Sequence, residues 1–128
     1  MLLTFDYDTT YPGPALPKVD VSFRGLAKGQ EVRAQALVDS GADGTMIPLS
    51  ILEDVDARRV DRMRMTGASG RSQTVDIYEV GVRIGSFNVP KIYAVANPFN
   101  QEVLLGRDVL NQFVVTLNGL ANIVEISQ

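Results

Sequence analysis

Residues 36–48 read ALVDSGADGTMIP and contain Asp39, the carboxylate best placed for chemistry. Three apolar residues precede Asp39, and Ser40, Gly41 and Ala42 follow it. A carboxylate at the end of an apolar strand costs stability unless it is hydrogen-bonded there. Asp and Ser form side-chain turns and Gly accepts positive φ, so a plain turn explains the tripeptide Asp-Ser-Gly taken alone. Two interpretations stay open at this point, a strand cap and a reactive carboxylate.

The residue types that the chain lacks narrow the chemistry that is available. The 128 residues include no Cys and no His, which excludes disulfides, thiol nucleophiles, Ser–His pairs and cysteine-based zinc sites. An EF-hand starting at Asp39 would place Ser50 where a bidentate Glu is required. Residues 67–72 (GASGRS) lack the Gly-Lys-Ser/Thr ending of a phosphate loop. If the chain is a hydrolase, we therefore expect carboxylate acid–base groups and no metal or cofactor.

The composition is that of one ordinary globular domain. Apolar residues make up 45% and charged residues 21%, with a net charge of −3, which predicts a single domain over residues 1–128. The chain has no basic stripe of the kind that binds nucleic acid, and no apolar run approaches the ~20 residues that cross a bilayer. The N-terminal MLLTFDYDTT lacks the regions of a secretory signal. We expect a cytoplasmic protein without nucleic-acid or membrane partners.

Short strands are predicted to position Asp39. Alternating apolar residues predict a strand over Lys18–Arg24, and Glu31–Val38 is the return strand that leads into Asp39, after a turn at residues 25–29. Further strands are expected at residues 59–65, 73–84, 88–95 and 103–105, with a closing hairpin at residues 114–126. Residues 47–52 suit a short strand followed by a helical turn, and residues 107–113 suit one or two helical turns. The apolar phase of residues 73–84 shifts by one position, which predicts a bulge near Tyr78. No strand–helix alternation indicates a parallel doubly wound sheet.

Two motifs together carry a resemblance to a known family. ALVDSGADGT at residues 36–45 resembles the active-site loop of retropepsins, the small dimeric aspartic proteases of retroviruses. VLLGRDVLNQFVVTLN at residues 103–118 resembles the second motif of that family, and GASG at residues 67–70 stands in the place of its glycine-rich flap. Residues 1–17, an N-terminal arm, have no counterpart. Residues 119–128 add a strand, as in cellular and bacterial retropepsin-like domains.

The resemblance implies an all-β fold, a closed or partly open acid-protease barrel with one or two short helices. It also implies an aspartic endopeptidase that cleaves extended peptides without a cofactor. The only Asp-Ser-Gly is at Asp39, since Asp8-Thr9-Thr10 lacks the glycine, so the resemblance implies a homodimer with paired Asp39 carboxylates that activate water. The remaining implied roles are loop support by Ser40, Gly41 and Ala42, an ion pair of Asp43 with Arg107, packing behind the loop by Leu104, Leu105 and Gly106, and a flap of Gly67, Ala68, Ser69 and Gly70.

Several alternatives stay open. Asp43 and Arg107 also suit a solvated surface pair, and GASG suits an ordinary hairpin turn. The C-terminal hairpin either joins two subunits or folds back and leaves a monomer. A retropepsin-like module that dimerises or binds peptides without useful activity is the alternative function. Ile47 and Met65 are hypothetical pocket residues.

Overall fold

The computed structural model describes residues 1–27 and 30–128. These residues form ten strands and two short helices. The strands are β1 (Leu2–Asp6), β2 (Lys18–Arg24), β3 (Glu31–Val38), β4 (Met46–Pro48), β5 (Arg58–Thr66), β6 (Ser72–Ile84), β7 (Phe87–Asn97), β8 (Val103–Leu105), β9 (Val114–Asn118) and β10 (Ile123–Ser127), and the helices are α1 (Leu49–Asp54) and α2 (Arg107–Leu110). The turn predicted over residues 25–29 lies partly outside the described residues. No helix in the described ranges is long and apolar enough to span a bilayer.

A closed barrel forms the body of the protein. Its strands follow the order β2-β3-β8-β4-β7-β6, and β6 pairs back onto β2 to close the ring. The β3–β8 and β4–β7 pairs are parallel, whereas β5 continues the sheet beyond β6 as a long antiparallel hairpin arm. This architecture confirms the predicted all-β acid-protease barrel with two short helices.

The barrel interior is apolar and follows the predicted alternation. Val19, Val21 and Phe23 on β2 are all buried, and each such side chain contributes roughly 1.5–3 kcal/mol by leaving water. Ile47 is also fully buried in this core. The hypothesis that Ile47 lines a substrate pocket is therefore wrong, because its side chain is enclosed by the barrel.

The buried face of β6 changes along the strand, as its sequence indicates. Ile77 is buried on one phase, and Val80 and Val82 on the other. The register between β5 and β6 shifts opposite Tyr78, where Val60 of β5 is left without a partner. The register between β6 and β7 also shifts, between Val80 and Val82. Irregularities in pairing thus lie on both sides of β6, at the predicted position and just beyond it.

A second, three-stranded sheet joins the two ends of the chain in the order β1-β10-β9. The predicted closing hairpin is present as β9 and β10, and the side chain of Asn118 accepts the Ala121 N–H at 3.0 Å within its turn. Val124 and Ile126 of the middle strand are fully buried. The outer edge of β9 pairs with no strand among the described residues.

The segment between β1 and β2 forms a loop whose two ends are hydrogen-bonded to each other. The Asp8 N–H donates to the Leu16 carbonyl at 2.8 Å, and the Leu16 N–H donates back at 3.1 Å. The Asp8 carboxylate accepts the Thr10 hydroxyl at 2.6 Å and lies 3.0 Å from the Lys18 ammonium. The Thr10 hydrogen bond, followed by the Lys18 contact, lowers the pKa of Asp8 from 3.8 to about 2. Asp8 is thus engaged as a turn residue of the arm.

Candidate active site

The loop after β3 holds Asp39 at one end of the barrel. The Asp39 N–H continues the β3–β8 ladder by donating to the Leu105 carbonyl at 3.0 Å. The loop then turns tightly, because the Gly41 N–H donates to Asp39 Oδ1 at 3.0 Å and the Ala42 N–H donates to the Asp39 carbonyl at 3.2 Å. The Asp39 side chain is partly exposed. Its Oδ2 atom accepts no hydrogen bond from the described residues, so one oxygen serves the turn and the other is available.

The second motif packs directly behind this loop. The Arg107 N–H donates to the Ala42 carbonyl at 2.9 Å. A Cβ atom at Gly106 would lie 2.5 Å from the carbonyl carbon of Gly44 and 2.6 Å from its oxygen. Leu105 is fully buried, and Leu104 is partly exposed beside it. Backbone therefore meets backbone at this junction, and no side chain larger than hydrogen fits at Gly106.

A buried hydrogen-bond network, which the sequence did not reveal, joins the two motifs. Thr45 is fully buried; its hydroxyl donates to Asp108 Oδ1 at 2.7 Å and its N–H donates to Oδ2 at 3.1 Å. The Gly106 N–H donates to the same threonine hydroxyl at 3.2 Å. The only local indication in the sequence is Asp108, an acidic residue in the first turn of α2, because a carboxylate at that position is stabilised by nearby N–H groups. Nothing in the sequence around Thr45 indicates that it bonds to Asp108.

Arg107 spans the outer side of the loop. Its Nη1 donates to the Ser40 carbonyl at 2.7 Å, and its Nη2 contacts the Asp43 carboxylate. The Asp43 side chain is 96% exposed, so in a single chain this contact is a solvated pair of small energetic value. The Ser40 hydroxyl makes no hydrogen bond with the part of the chain that the structure describes.

The predicted flap residues form the tip of the β5–β6 hairpin. Beyond the irregularity at Val60, the strands pair without interruption up to Thr66↔Ser72, and the Gly70 N–H closes the turn on the Gly67 carbonyl at 2.9 Å. Gly70 has φ +79°, whereas a Cβ at Gly67 would meet open space. Ala68 and Ser69 are exposed at the tip. Only Gly70 is required by the backbone conformation of this turn.

Comparison with known proteins identifies the family. Residues 25–112, more than half of the chain, match the family model described as "gag-polyprotein putative aspartyl protease". The chain belongs to this aspartyl protease family. No curated protein matches the sequence.

Solved structures of retropepsin type share the fold of this family member. A retropepsin-like aspartic protease from Rickettsia conorii is 12% identical with a TM-score of 0.63, covering 98% of this chain and 91% of its own. EIAV protease in complex with the inhibitor HBY-793 is 20% identical with a TM-score of 0.54, and the match covers 81% of this chain and 93% of the EIAV chain. The foamy viral protease-reverse transcriptase in complex with an RNA/DNA hybrid is 14% identical with a TM-score of 0.58, and the match covers 77% of this chain and 12% of the viral chain. At these identities the likeness shows the fold.

Two grooves flank the hairpin of this aspartyl protease family member. The first, here called the hairpin–loop groove, has a volume of about 540 Å³ and lies between the hairpin and the loop at residues 97–102. Leu104 lines this groove and pairs with Leu37, two residues before Asp39, whereas no residue of 39–45 lines it. The second groove, of about 630 Å³, is lined by Met65 and by Asp43. Asp39 itself lines neither groove in the single chain.

Proposed function

We propose that the chain is an aspartic endopeptidase in which Asp39 is the catalytic carboxylate. The observation that carries the proposal is the placement of Asp39 directly after β3, with Oδ1 held by the Gly41 N–H and Oδ2 free to act. The loop is braced from behind by Gly106 and Arg107. A carboxylate held by a rigid support needs little reorganisation during a reaction.

One chain supplies half of such a site. Metal-free peptide hydrolysis needs one group that takes a proton from water and another that polarises the carbonyl, so we propose a homodimer that pairs Asp39 across a two-fold axis. In this dimer the Ser40 hydroxyl would bond across the axis. Support comes from the free edge of β9, on or beside which Val114, Leu117 and Leu120 are 60%, 52% and 104% exposed. An unpaired edge with exposed apolar side chains is a template for pairing with a second copy.

The paired carboxylates would divide the acid and base roles by sharing one proton. Two carboxylates about 3 Å apart repel by about 5 kcal/mol at an effective dielectric of about 20, which separates their ionisations by about four pKa units. The ionised partner would take a proton from water as the water oxygen attacks the peptide carbonyl carbon. The protonated partner would donate to the carbonyl oxygen. The C–N bond would then break as the first carboxyl group gives its new proton to the nitrogen and the second takes a proton back from a hydroxyl of the intermediate.

The substrate would be an extended peptide bound as an added strand, recognised by backbone hydrogen bonds and side-chain pockets. The hairpin tip at residues 67–70 would close over it and exclude water. A cytoplasmic location, expected from the sequence, stays a prediction.

The proposal is tested by comparing the wild type with Asp39→Asn in a peptide-library cleavage assay from about pH 3 to pH 8. The asparagine keeps an oxygen for the Gly41 N–H, so the turn is retained while the acid is lost. We expect acid-shifted cleavage by the wild type and a loss of about 10²–10⁴-fold in the variant. Asp54→Asn, on the exposed face of α1, is the matched control.

Equal residual cleavage by the wild type and Asp39→Asn would refute the catalytic role. Sedimentation of the same samples tests the dimer, because an active monomer would contradict the paired-carboxylate mechanism. A folded dimer that binds peptides but cleaves none would instead support the non-enzymatic module.

A further inference from the structure

The loop at residues 97–102 is held in one shape by its own side chains. Asn97 is buried, and its Nδ2 donates to Asn100 Oδ1 at 2.7 Å. Asn97 Oδ1 accepts the Phe99 N–H at 3.0 Å, and Asn100 Oδ1 accepts the Glu102 N–H at 2.9 Å. Asparagine side chains that bond to nearby backbone N–H groups in this way favour one loop conformation. The loop therefore holds Phe99 and Glu102 in defined positions.

Both of these residues line the hairpin–loop groove. Phe99 is 79% exposed and Glu102 is also exposed, and both line the groove together with the apolar Met46 and Leu104. An aromatic ring on a well-held loop that contributes little to the core points to a binding role.

One charged residue of the hairpin–loop groove, Glu102, has no oppositely charged partner among the other lining residues. Its charged lining residues are Arg62, Asp76 and Glu102. Arg62 Nε lies 2.9 Å from Asp76 Oδ1, and this hydrogen bond is the main cause that lowers the pKa of Asp76. No Lys or Arg among residues 1–27 and 30–128 lies within salt-bridge distance of Glu102. The carboxylate of Glu102 is thus available to a cation from outside.

We infer that the hairpin–loop groove selects a lysine or arginine side chain of the bound peptide, with its methylenes on Phe99 and Leu104 and its cation on the Glu102 carboxylate. Long basic side chains lay their stems on apolar surface while the charged head stays at the rim. The Phe99 ring adds a cation–π surface. The inference rests on the proposed peptide-cleaving function for its biological setting, and it names the substrate class.

The experiment measures peptide binding to Asp39→Asn, so that it does not depend on cleavage. A fluorescent peptide library carries lysine, norleucine or glutamate at each position in turn, and norleucine keeps the methylenes without the charge. We expect one position at which lysine binds about fivefold more tightly than norleucine. Adding Glu102→Gln should abolish this preference and adding Glu102→Lys should shift it to glutamate, whereas adding Glu53→Gln on α1 should leave it unchanged.

Asn97→Ala tests the positioning role of the loop network. We expect the lysine preference to fall while binding of the norleucine peptide changes little. A lysine preference that is absent, or unchanged in Glu102→Gln, overturns the inference, as does a failure to bind any library peptide.

The two proposals fail separately. If the wild type cleaves peptides with no preference for a basic residue, the inference on Glu102 is wrong and the protease proposal stands. If no peptide is cleaved but lysine peptides bind in a Glu102-dependent manner, the protease proposal is wrong and the groove assignment stands.

Discussion

Replacing Gly106 by alanine tests whether the two motifs are held together by backbone contact. The added Cβ would lie 2.5 Å and 2.6 Å from the carbonyl carbon and oxygen of Gly44, and 3.0 Å from the oxygen of Ala42. Because these neighbours are backbone atoms, no side-chain rotation relieves the overlap, and the loop must move by roughly 1 Å to reach normal contact. Overpacking of this kind costs about 1–3 kcal/mol. Alanine also restricts the unfolded chain, which offsets about 0.4–1 kcal/mol.

The assay is thermal unfolding of Gly106→Ala beside Gly119→Ala, where the Cβ meets open space. Both changes restrict the unfolded chain alike, so the difference between them isolates the contact. With about 3–6 °C per kcal/mol for a domain of this size, a cost of about 1–3 kcal/mol means that Gly106→Ala should melt about 3–18 °C below the control. Peptide cleavage should fall further than stability explains, because the moved loop carries Asp39. Equal melting temperatures for the two variants would refute the reasoning.

Three further predictions concern other parts of the chain. Thr45→Val removes the hydroxyl that donates to Asp108 and should lower the free energy of unfolding in urea by about 1–3 kcal/mol; a loss no larger than that of Thr45→Ser would contradict the network. The lowered pKa of Asp8, about 2 against an ordinary 3.8, means that its ionised form stabilises the folded state above about pH 4, and this contribution is lost as the pH falls toward 2. Asp8→Asn should therefore flatten the loss of stability over that acid range in denaturant titrations, and an unchanged slope would count against it. Gly70→Ala places a Cβ at φ +79° and should cost about 1–2 kcal/mol, whereas Gly67→Ala should not; calorimetry of both variants decides, and equal stabilities would show that the turn adapts.

The strands that deliver Asp39 could be predicted from local pattern. β2 and β3 begin and end at the predicted residues, because one buried face imposes strict alternation and a slip of one residue would expose every apolar side chain. The change of buried face along β6 could be predicted for the same reason. The register shifts on its two sides, at Val60 of β5 and between Val80 and Val82 in the pair with β7, depend on how the strands pair and are not evident from residues 73–84 alone.

The hydrogen bonds that hold the site depend on partners that the local sequence does not identify. Thr45 and Asp108 are 63 positions apart, and either residue alone suits a loop or a helix terminus. Asn97 and Asn100 lie between the predicted strands at residues 88–95 and 103–105, and their local sequence does not identify their bonding partners, although asparagine often bonds its own backbone. The burial of Asn97, which makes that bonding structurally important, follows from the barrel as a whole.

The two interpretations of Asp39, a strand cap and a reactive carboxylate, are compatible because they use different oxygens. Oδ1 accepts the Gly41 N–H, which meets the local need for a turn at the end of an apolar strand. Oδ2 is not needed for that turn, so the same residue can cap the strand and still present an acid. Gly41 reinforces this division, since a Cβ there would lie 3.2 Å from Oδ1 and press on the bonded oxygen. The turn is thus the device that keeps a carboxylate at this position and orients it, and catalysis would require only that a second copy bring its own free oxygen within reach.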